Sequence, residues 1–182
     1  QTYKDIGVAS VSMGGGDILP ALEKGTIDAA EWCCPKPDLV FGFQKVLKNY
    51  YLQGLHQNVV NGDVFFNKDV YNKLSKQEKY AMEIASEAMI TRNITNRAVE
   101  NGKALIELTS KHGVILHDTP ADYFVEYMAA AKATIQKNSK ENKFFDEVYQ
   151  HMTAHAKIVV PFIAQMETSD ASIGTAFAKA QK

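Results

Sequence analysis

Arginine is almost missing from this chain. Of its 20 cationic residues only Arg92 and Arg97 are arginine, so the residue best suited to clamp a carboxylate or a phosphate is scarce. An excess of either charge is also missing: 20 Lys+Arg face 21 Asp+Glu, a net charge of −1. That balance argues against nucleic acid as a partner, because phosphate binding needs a dense basic face. Long apolar runs are lacking as well. The longest, around residues 158–164, is broken by Pro161 and falls far short of the ~20 residues that cross a bilayer, so no membrane insertion is expected. Cysteine occurs only as the adjacent pair Cys33 and Cys34. Neighbouring Cα atoms lie about 3.8 Å apart, below the spacing of an unstrained disulfide, and two adjacent thiols do not make a zinc site. The pair reads as small packing residues, with a redox or metal role as the alternative. The chain opens at Gln1 without a basic segment followed by an apolar one, so no signal peptide is expected within it.

What remains is an ordinary globular composition, 46 % hydrophobic and 23 % charged over 182 residues. A chain of this length can bury roughly 70 % of its unfolded surface, so neither a disulfide nor a second domain is needed. The first third alternates between strand-like and helical segments. Residues 6–13, 27–30, 50–55 and 59–67 read as strands, with Val60, Val64 and Phe66 on one face of the last. Between them, residues 17–24 read as a helix stopped by Gly25, and residues 38–48 as a helix with Leu39, Phe43, Val46 and Leu47 on one side.

Beyond Asn67 the pattern turns helical. A short helix is predicted over 68–74, and Ser75-Lys76-Gln77-Glu78 is a capping box. The apolar period that follows runs to Gly113, about 37 residues or about 55 Å of helix, with Gly102 as a candidate bend. Such a helix crosses two lobes, forms a coiled coil, or bends. Residues 114–117 read as a brief strand. Thr119 and Pro120 then open a helix that runs to about Asn138. A further helix is expected from 142 to about 166, broken or kinked at Pro161. The tail from 168 onward reads as a short docked helix or as disordered.

Few residues suggest covalent chemistry. Gly14-Gly15-Gly16 is neither G-x-G-x-x-G nor a P-loop and reads as a flexible turn. His151 and His155 share a helix face but lack the Glu of an H-E-x-x-H motif, so an enzyme survives only if those two histidines hold a metal. His112 and His117 read as solvated, as do Glu83 and Glu87. No nucleophile elbow is present. The most informative stretch is Ile27 to Pro35, an apolar strand followed by Glu31 and Trp32. Ligands gather at strand ends in α/β folds, where Glu31 can ligate a hard cation and Trp32 can wall a pocket. The opposing reading makes Trp32 a core residue and Glu31 a solvated acid.

The stretch from Gly15 to Trp32 (GGDILPALEKGTIDAAEW) resembles a signature of the periplasmic substrate-binding subunits of tripartite ATP-independent periplasmic (TRAP) transporters. The Pro35/Pro37/Asp38 loop, Tyr50-Tyr51, Gly54-Leu55-His56 and the long helix continue it over nearly the whole chain. The resemblance implies an α/β, helix-rich chain: the C-terminal part of a two-lobed periplasmic-binding-protein fold with a lobe-spanning helix. Residues 1–67 would carry part of the ligand cleft. Residues 68–182 would form the spanning helix and the C-terminal helical segment of the same structural unit.

It also implies a binding protein rather than an enzyme. Such a protein captures a 2-oxo or 2-hydroxy acid anion in the periplasm, together with Na⁺ or Ca²⁺ and no organic cofactor, and delivers it to membrane permease subunits. Carried over, Glu31 and the Trp32 carbonyl would bind the cation with Gln57, and Trp32, Glu31 and His56 would face the substrate. These hard oxygen donors suit Na⁺ or Ca²⁺. Two departures stand out. Gln57-Asn58 replaces the family's Glu-Pro, which lowers the site's charge and tilts the choice toward a monovalent ion. The N-terminal part that carries the family's substrate arginine is absent, and neither Arg92 nor Arg97 matches it. The alternative reading is a helical interaction module that self-associates as a homodimer without binding a small molecule.

Overall fold

The computed structural model describes residues 1–54 and 63–180. The chain divides into two compact units, Ser10–Phe124 and the paired ends Gln1–Ala9 with Val125–Lys182. The elements are α1 (Thr2–Asp5), α2 (Gly15–Glu23), α3 (Pro35–Phe41), a 3₁₀ turn (Phe43–Lys45), β1 (Asn49–Tyr51), α4 (Lys68–Lys73), α5 (Lys76–Lys111), β2 (Ile115–His117), α6 (Ala121–Glu141) and α7 (Lys143–Ala180). The described residues are helix-rich with one small parallel sheet, as the α/β reading expects. β1 and β2 pair in parallel, with Asn49 opposite Ile115 and Tyr51 opposite His117.

Local chemistry sets the helix ends. The Asn67 carboxamide accepts from the Asp69 and Val70 amides at 3.0 and 3.2 Å and opens α4. At the start of α5 the predicted capping box forms. The Glu78 amide donates to the Ser75 hydroxyl at 3.2 Å, and the Ser75 amide donates to the Glu78 carboxylate at 2.7 Å. α5 then runs for 36 residues straight through Gly102. α2 closes in a Schellman arrangement: Thr26 N–H donates to Ala21 C=O at 2.9 Å and Gly25 N–H to Leu22 C=O at 3.1 Å. Gly25 sits at φ +67°, a left-handed conformation that a residue without Cβ adopts at no cost.

Several expected elements differ. Residues 6–13 form no strand: Ile6 and Gly7 turn after α1, and residues 8–14 have no regular structure. Residues 27–30 are not a strand either, and neither are residues 63–67. The rest of the predicted 59–67 strand, with Val60, lies outside the described residues. β-prone composition marks a backbone preference, but a strand exists only when another strand completes its hydrogen bonds, and among the described residues only β1 and β2 pair. The helix predicted over 38–48 starts earlier, at Pro35, because proline is at home in a first turn. It ends at Phe41, and a 3₁₀ turn follows. α7 continues past Pro161 to Ala180, so residues 168–180 are helical.

In the Ser10–Phe124 unit the core has two parts. Ile18, Leu22 and Phe43 form one, flanked by Met13, Leu19, Ile27, Val46 and Leu47. Ala104, Leu108 and Val114 are buried near the C-terminal end of α5. α3 packs on α5, pinned where the Lys36 amide donates to the Asn101 carboxamide oxygen at 2.9 Å. In the other unit the Tyr3 and Tyr127 rings meet at 5.3 Å, and the Thr134 hydroxyl donates to Asp5 at 3.1 Å.

Candidate functional site

A cavity of about 1090 Å³ opens in the Ser10–Phe124 unit. Its wall combines the loop between α2 and α3 with β1 and the inner face of α5. The α2–α3 loop is fixed at both ends. The Schellman turn holds one end, and Ile27 tucks into the core beside it. At the other end Cys34 is the N-cap of α3 with Pro35 in its first turn, and the Asp38 amide donates to the Cys34 carbonyl at 3.1 Å. Residues 28–33 between these anchors all line the cavity.

Glu31 and Trp32 therefore stand side by side on the wall. They stand on an irregular loop rather than at a strand end. Trp32 is 37 % exposed and is not a core residue. Its ring lies 4.6 Å from that of Phe41, and Phe41 stacks on Phe43 at 5.8 Å. This aromatic ladder runs from the cavity into the core. The back of the indole rests on the start of α2. A Cβ at Gly15 would come within 2.6 Å of Trp32 Cη2, closer than side-chain carbons approach. Gly15 is thus a seat for the indole, and the triplet is not only a flexible turn.

Beneath the loop lies a polar pair. Asp38 is 8 % exposed and accepts a 2.6 Å hydrogen bond from the Tyr50 hydroxyl through Oδ2. Its Oδ1 is buried with no hydrogen-bond partner among the described residues. Burial pushes the Asp38 carboxyl above the ordinary aspartate value. The Tyr50 bond and the amides of Cys34 and Cys33 resist that shift, and the charge of Glu31 adds to it. Burial and the Asp38 carboxylate push the Tyr50 phenol strongly up as well. Cys33 and Cys34 are free thiols with their sulfurs 2.9 Å apart. Burial, then the neighbouring Cys33, push the Cys34 thiol up to about 11, while Arg97 works the other way.

Arg97 also lines the cavity. Sequence reasoning set this arginine aside because it matches no family position, yet the helical spacing held a signal. Arg97, Asn101, Ala104 and Leu108 are four, three and four residues apart, so they share one face of α5. Ala104 and Leu108 are buried and Asn101 holds α3, so that face turns Arg97 toward the same wall. Lys48 is committed elsewhere on the wall: its ammonium donates to the Gln44 and His112 carbonyls at 2.7 and 3.0 Å.

The far edge of the wall is tied at the strand pair. Ile115 N–H donates to Lys48 C=O at 2.7 Å. Gln53 accepts from the Thr119 amide at 2.6 Å, and its own carbonyl accepts from the Thr119 hydroxyl at 3.0 Å. His117 is not simply solvated: it stacks on Tyr51 at 5.0 Å and meets Asn49 Oδ1 at 2.9 Å.

Two of the four site residues expected from the sequence, His56 and Gln57, lie outside the described residues. Glu31 and Trp32 supply a carboxylate and a backbone carbonyl, oxygen donors of the kind a hard cation takes. No group of three or more His, Cys, Asp or Glu gathers among the described residues. His151 and His155 are exposed along α7, so the histidine-metal route to an enzyme gains no third ligand there. Glu83 and Glu87 are exposed as expected and line a second hollow of about 640 Å³ with Val64, Phe65 and Phe66. No helix among the described residues is long and apolar enough to cross a membrane.

Comparison with known proteins gives a consistent picture. Residues 1–142 match the family described as bacterial extracellular solute-binding protein, family 7. A monocarboxylate 2-oxoacid-binding periplasmic protein of Nostoc sp. is 30 % identical over 164 residues, which is 86 % of this chain and 43 % of that protein. A TRAP transporter solute-binding protein from Bordetella bronchiseptica RB50 superposes with a TM-score of 0.84 at 27 % identity, over 98 % of this chain and 53 % of that one. Its crystal structure is a mixed-occupancy dimer with copurified calcium and picolinate in one active site and an apo site in the other. A TRAP periplasmic solute-binding protein from Colwellia psychrerythraea, with calcium and pyruvate bound, shares the fold at a TM-score of 0.67 and 23 % identity, over 82 % of this chain and 45 % of that one. The chain spans about half the length of these relatives.

Proposed function

The chain belongs to the bacterial extracellular solute-binding proteins of family 7, and we propose that it forms one wall of the ligand site in a TRAP transporter's periplasmic substrate-binding subunit. The ligand is a 2-oxo or 2-hydroxy monocarboxylate held with Na⁺ or Ca²⁺. Release is to a membrane permease, and the protein binds without covalent chemistry. The observation that supports this reading is the cavity wall on which Glu31 and the clamped indole of Trp32 lie side by side. Glu31 and the Trp32 carbonyl bind the cation with Gln57. Trp32 and His56 face the organic acid, and Arg97 adds positive charge to the same wall.

Calcium accompanies the ligand in both solved relatives, while the amide of Gln57 lowers the charge of this site. Calorimetric titration of the intact protein with pyruvate and a 2-hydroxy analogue, with Na⁺, Ca²⁺ or neither, tests the reading. Binding is expected only with a cation present, and Glu31→Gln should weaken it at least tenfold, about 1.4 kcal/mol. No heat across the whole panel overturns it.

A second reading rests on the outer face of α7. Phe144, Val148 and Met152 repeat every four residues there and are exposed, a stripe suited to a homodimer. Light scattering separates the two, since a monomer at high concentration removes the self-association reading.

A further inference from the structure

Cys33 and Cys34 stand apart from every ligand role argued above. They are adjacent in sequence, both free, and their sulfurs lie 2.9 Å apart. Only about 0.9 Å separates this contact from a disulfide bond of about 2.05 Å. Cys33 is exposed and lines the cavity, while Cys34 is partly covered and caps α3. The pair follows Trp32 directly, and Trp32 is the chain's single tryptophan.

From this geometry we infer that Cys33 and Cys34 form a reversible redox site, closing to a vicinal disulfide by exchange with a disulfide oxidant. The exposed Cys33 sulfur attacks the oxidant as thiolate. It forms a mixed disulfide and releases one thiol of the oxidant. Cys34 then loses its proton, attacks the Cys33 sulfur and expels the second thiol. The protein gives up two hydrogens, and the oxidant RS–SR becomes two RSH, so atoms and electrons balance. The order follows from exposure: Cys33 is open to the oxidant, whereas Cys34 is partly covered and is the poorer first attacker. The 2.9 Å between the two sulfurs makes the second step intramolecular.

The product is strained, because adjacent Cα atoms about 3.8 Å apart sit below the usual disulfide span, and strained bridges are easily reduced. The site therefore cycles and does not act as a permanent staple. Closure places a covalent ring between Trp32 and Pro35, at the rim of the cavity. This inference does not depend on the identity of the ligand.

Graded mixtures of reduced and oxidised glutathione test it on the intact protein, read by thiol counting, intact mass, peptide mapping and Trp32 emission. Oxidation is expected to remove both thiols, lower the mass by two hydrogens, link Cys33 to Cys34 within one chain and change Trp32 emission. Excess reduced glutathione should restore the starting state. Cys34→Ser should stall at a glutathione adduct on Cys33, and the double serine variant should show no redox-dependent emission. Two free thiols in excess oxidised glutathione overturn the inference. So does a bridge found only between chains, or a closed ring that excess reduced glutathione leaves intact.

Discussion

The two ends of α5 carry the same amphipathic pattern in opposite surroundings. Toward its N-terminus Tyr80, Ile84, Met89, Ile90 and Ile94 are all exposed. Toward its C-terminus Ala104 and Leu108 are each only 3 % exposed, and Asn101 bonds the first turn of α3. An apolar stripe on a helix asks for a partner; among the described residues it is buried at the C-terminal end, at Ala104 and Leu108. The covered end gains its stability from burial. The other end is held mainly by local terms, the capping box and the helix's own hydrogen bonds. The candidate site is built on the covered end, where packing can fix side-chain positions.

Substitutions can break or sharpen this contrast. Leu108→Ala should cost about 3 kcal/mol in chemical denaturation, whereas Ile94→Ala, at a residue 69 % exposed, should stay within about 0.5 kcal/mol. Equal losses would mean that the two ends are supported alike. Gly15→Ala should cost about 2 kcal/mol by driving a methyl into the Trp32 ring. It should also shift tryptophan emission to the red as the indole leaves its seat; unchanged emission would remove Gly15 from the site. Asn101→Ala, which strips the acceptor from the Lys36 amide, should cost about 1 kcal/mol.

The smallest effect concerns pH. The Asp38 carboxyl, raised above 3.8 by burial, holds its proton more tightly when folded. Its contribution is fully present below the unfolded value and is lost as pH rises through the folded one. Melting temperature should therefore fall with rising pH across the window from the ordinary aspartate value up to the raised one. Asp38→Asn should remove that step from the profile. An identical slope in both proteins would locate the proton elsewhere.

Features carried by short-range chemistry were legible in the sequence. The Ser75/Glu78 box, the Gly25 stop and the start of α6 at Ala121 just after Pro120 all stand where residues within a few positions dictate them. The strand-like segments 6–13 and 27–30 misled because pairing is a long-range event that composition does not report. α3 was misplaced because Pro35 and Pro37 read as loop, although a first helical turn accepts proline. In the site, Glu31 and Trp32 were visible through a family resemblance, and neighbouring positions on one loop stay together when the chain folds. Arg97 reaches the same cavity from a helix 65 residues on, and only the spacing to Asn101, Ala104 and Leu108 hinted at it. The clamp of Trp32 between Gly15 and Phe41 joins three segments and left no local trace.

The pairing of β1 with β2 bears on the order in which this chain organises. Gln53 and Asp118, just beyond the paired strands, lie 65 positions apart and meet at 3.3 Å. Closing so wide a span costs chain entropy that α5, built from neighbours four residues apart, never faces. The helix is thus expected to form early and the strand pair late, so the wall that holds Tyr50 and Gln53 is completed near the end of folding. Hydrogen exchange during refolding should protect α5 amides before that of Ile115, which donates to the Lys48 carbonyl. A ligand that gathers this wall would then act as a late brace, slowing unfolding more than it speeds folding.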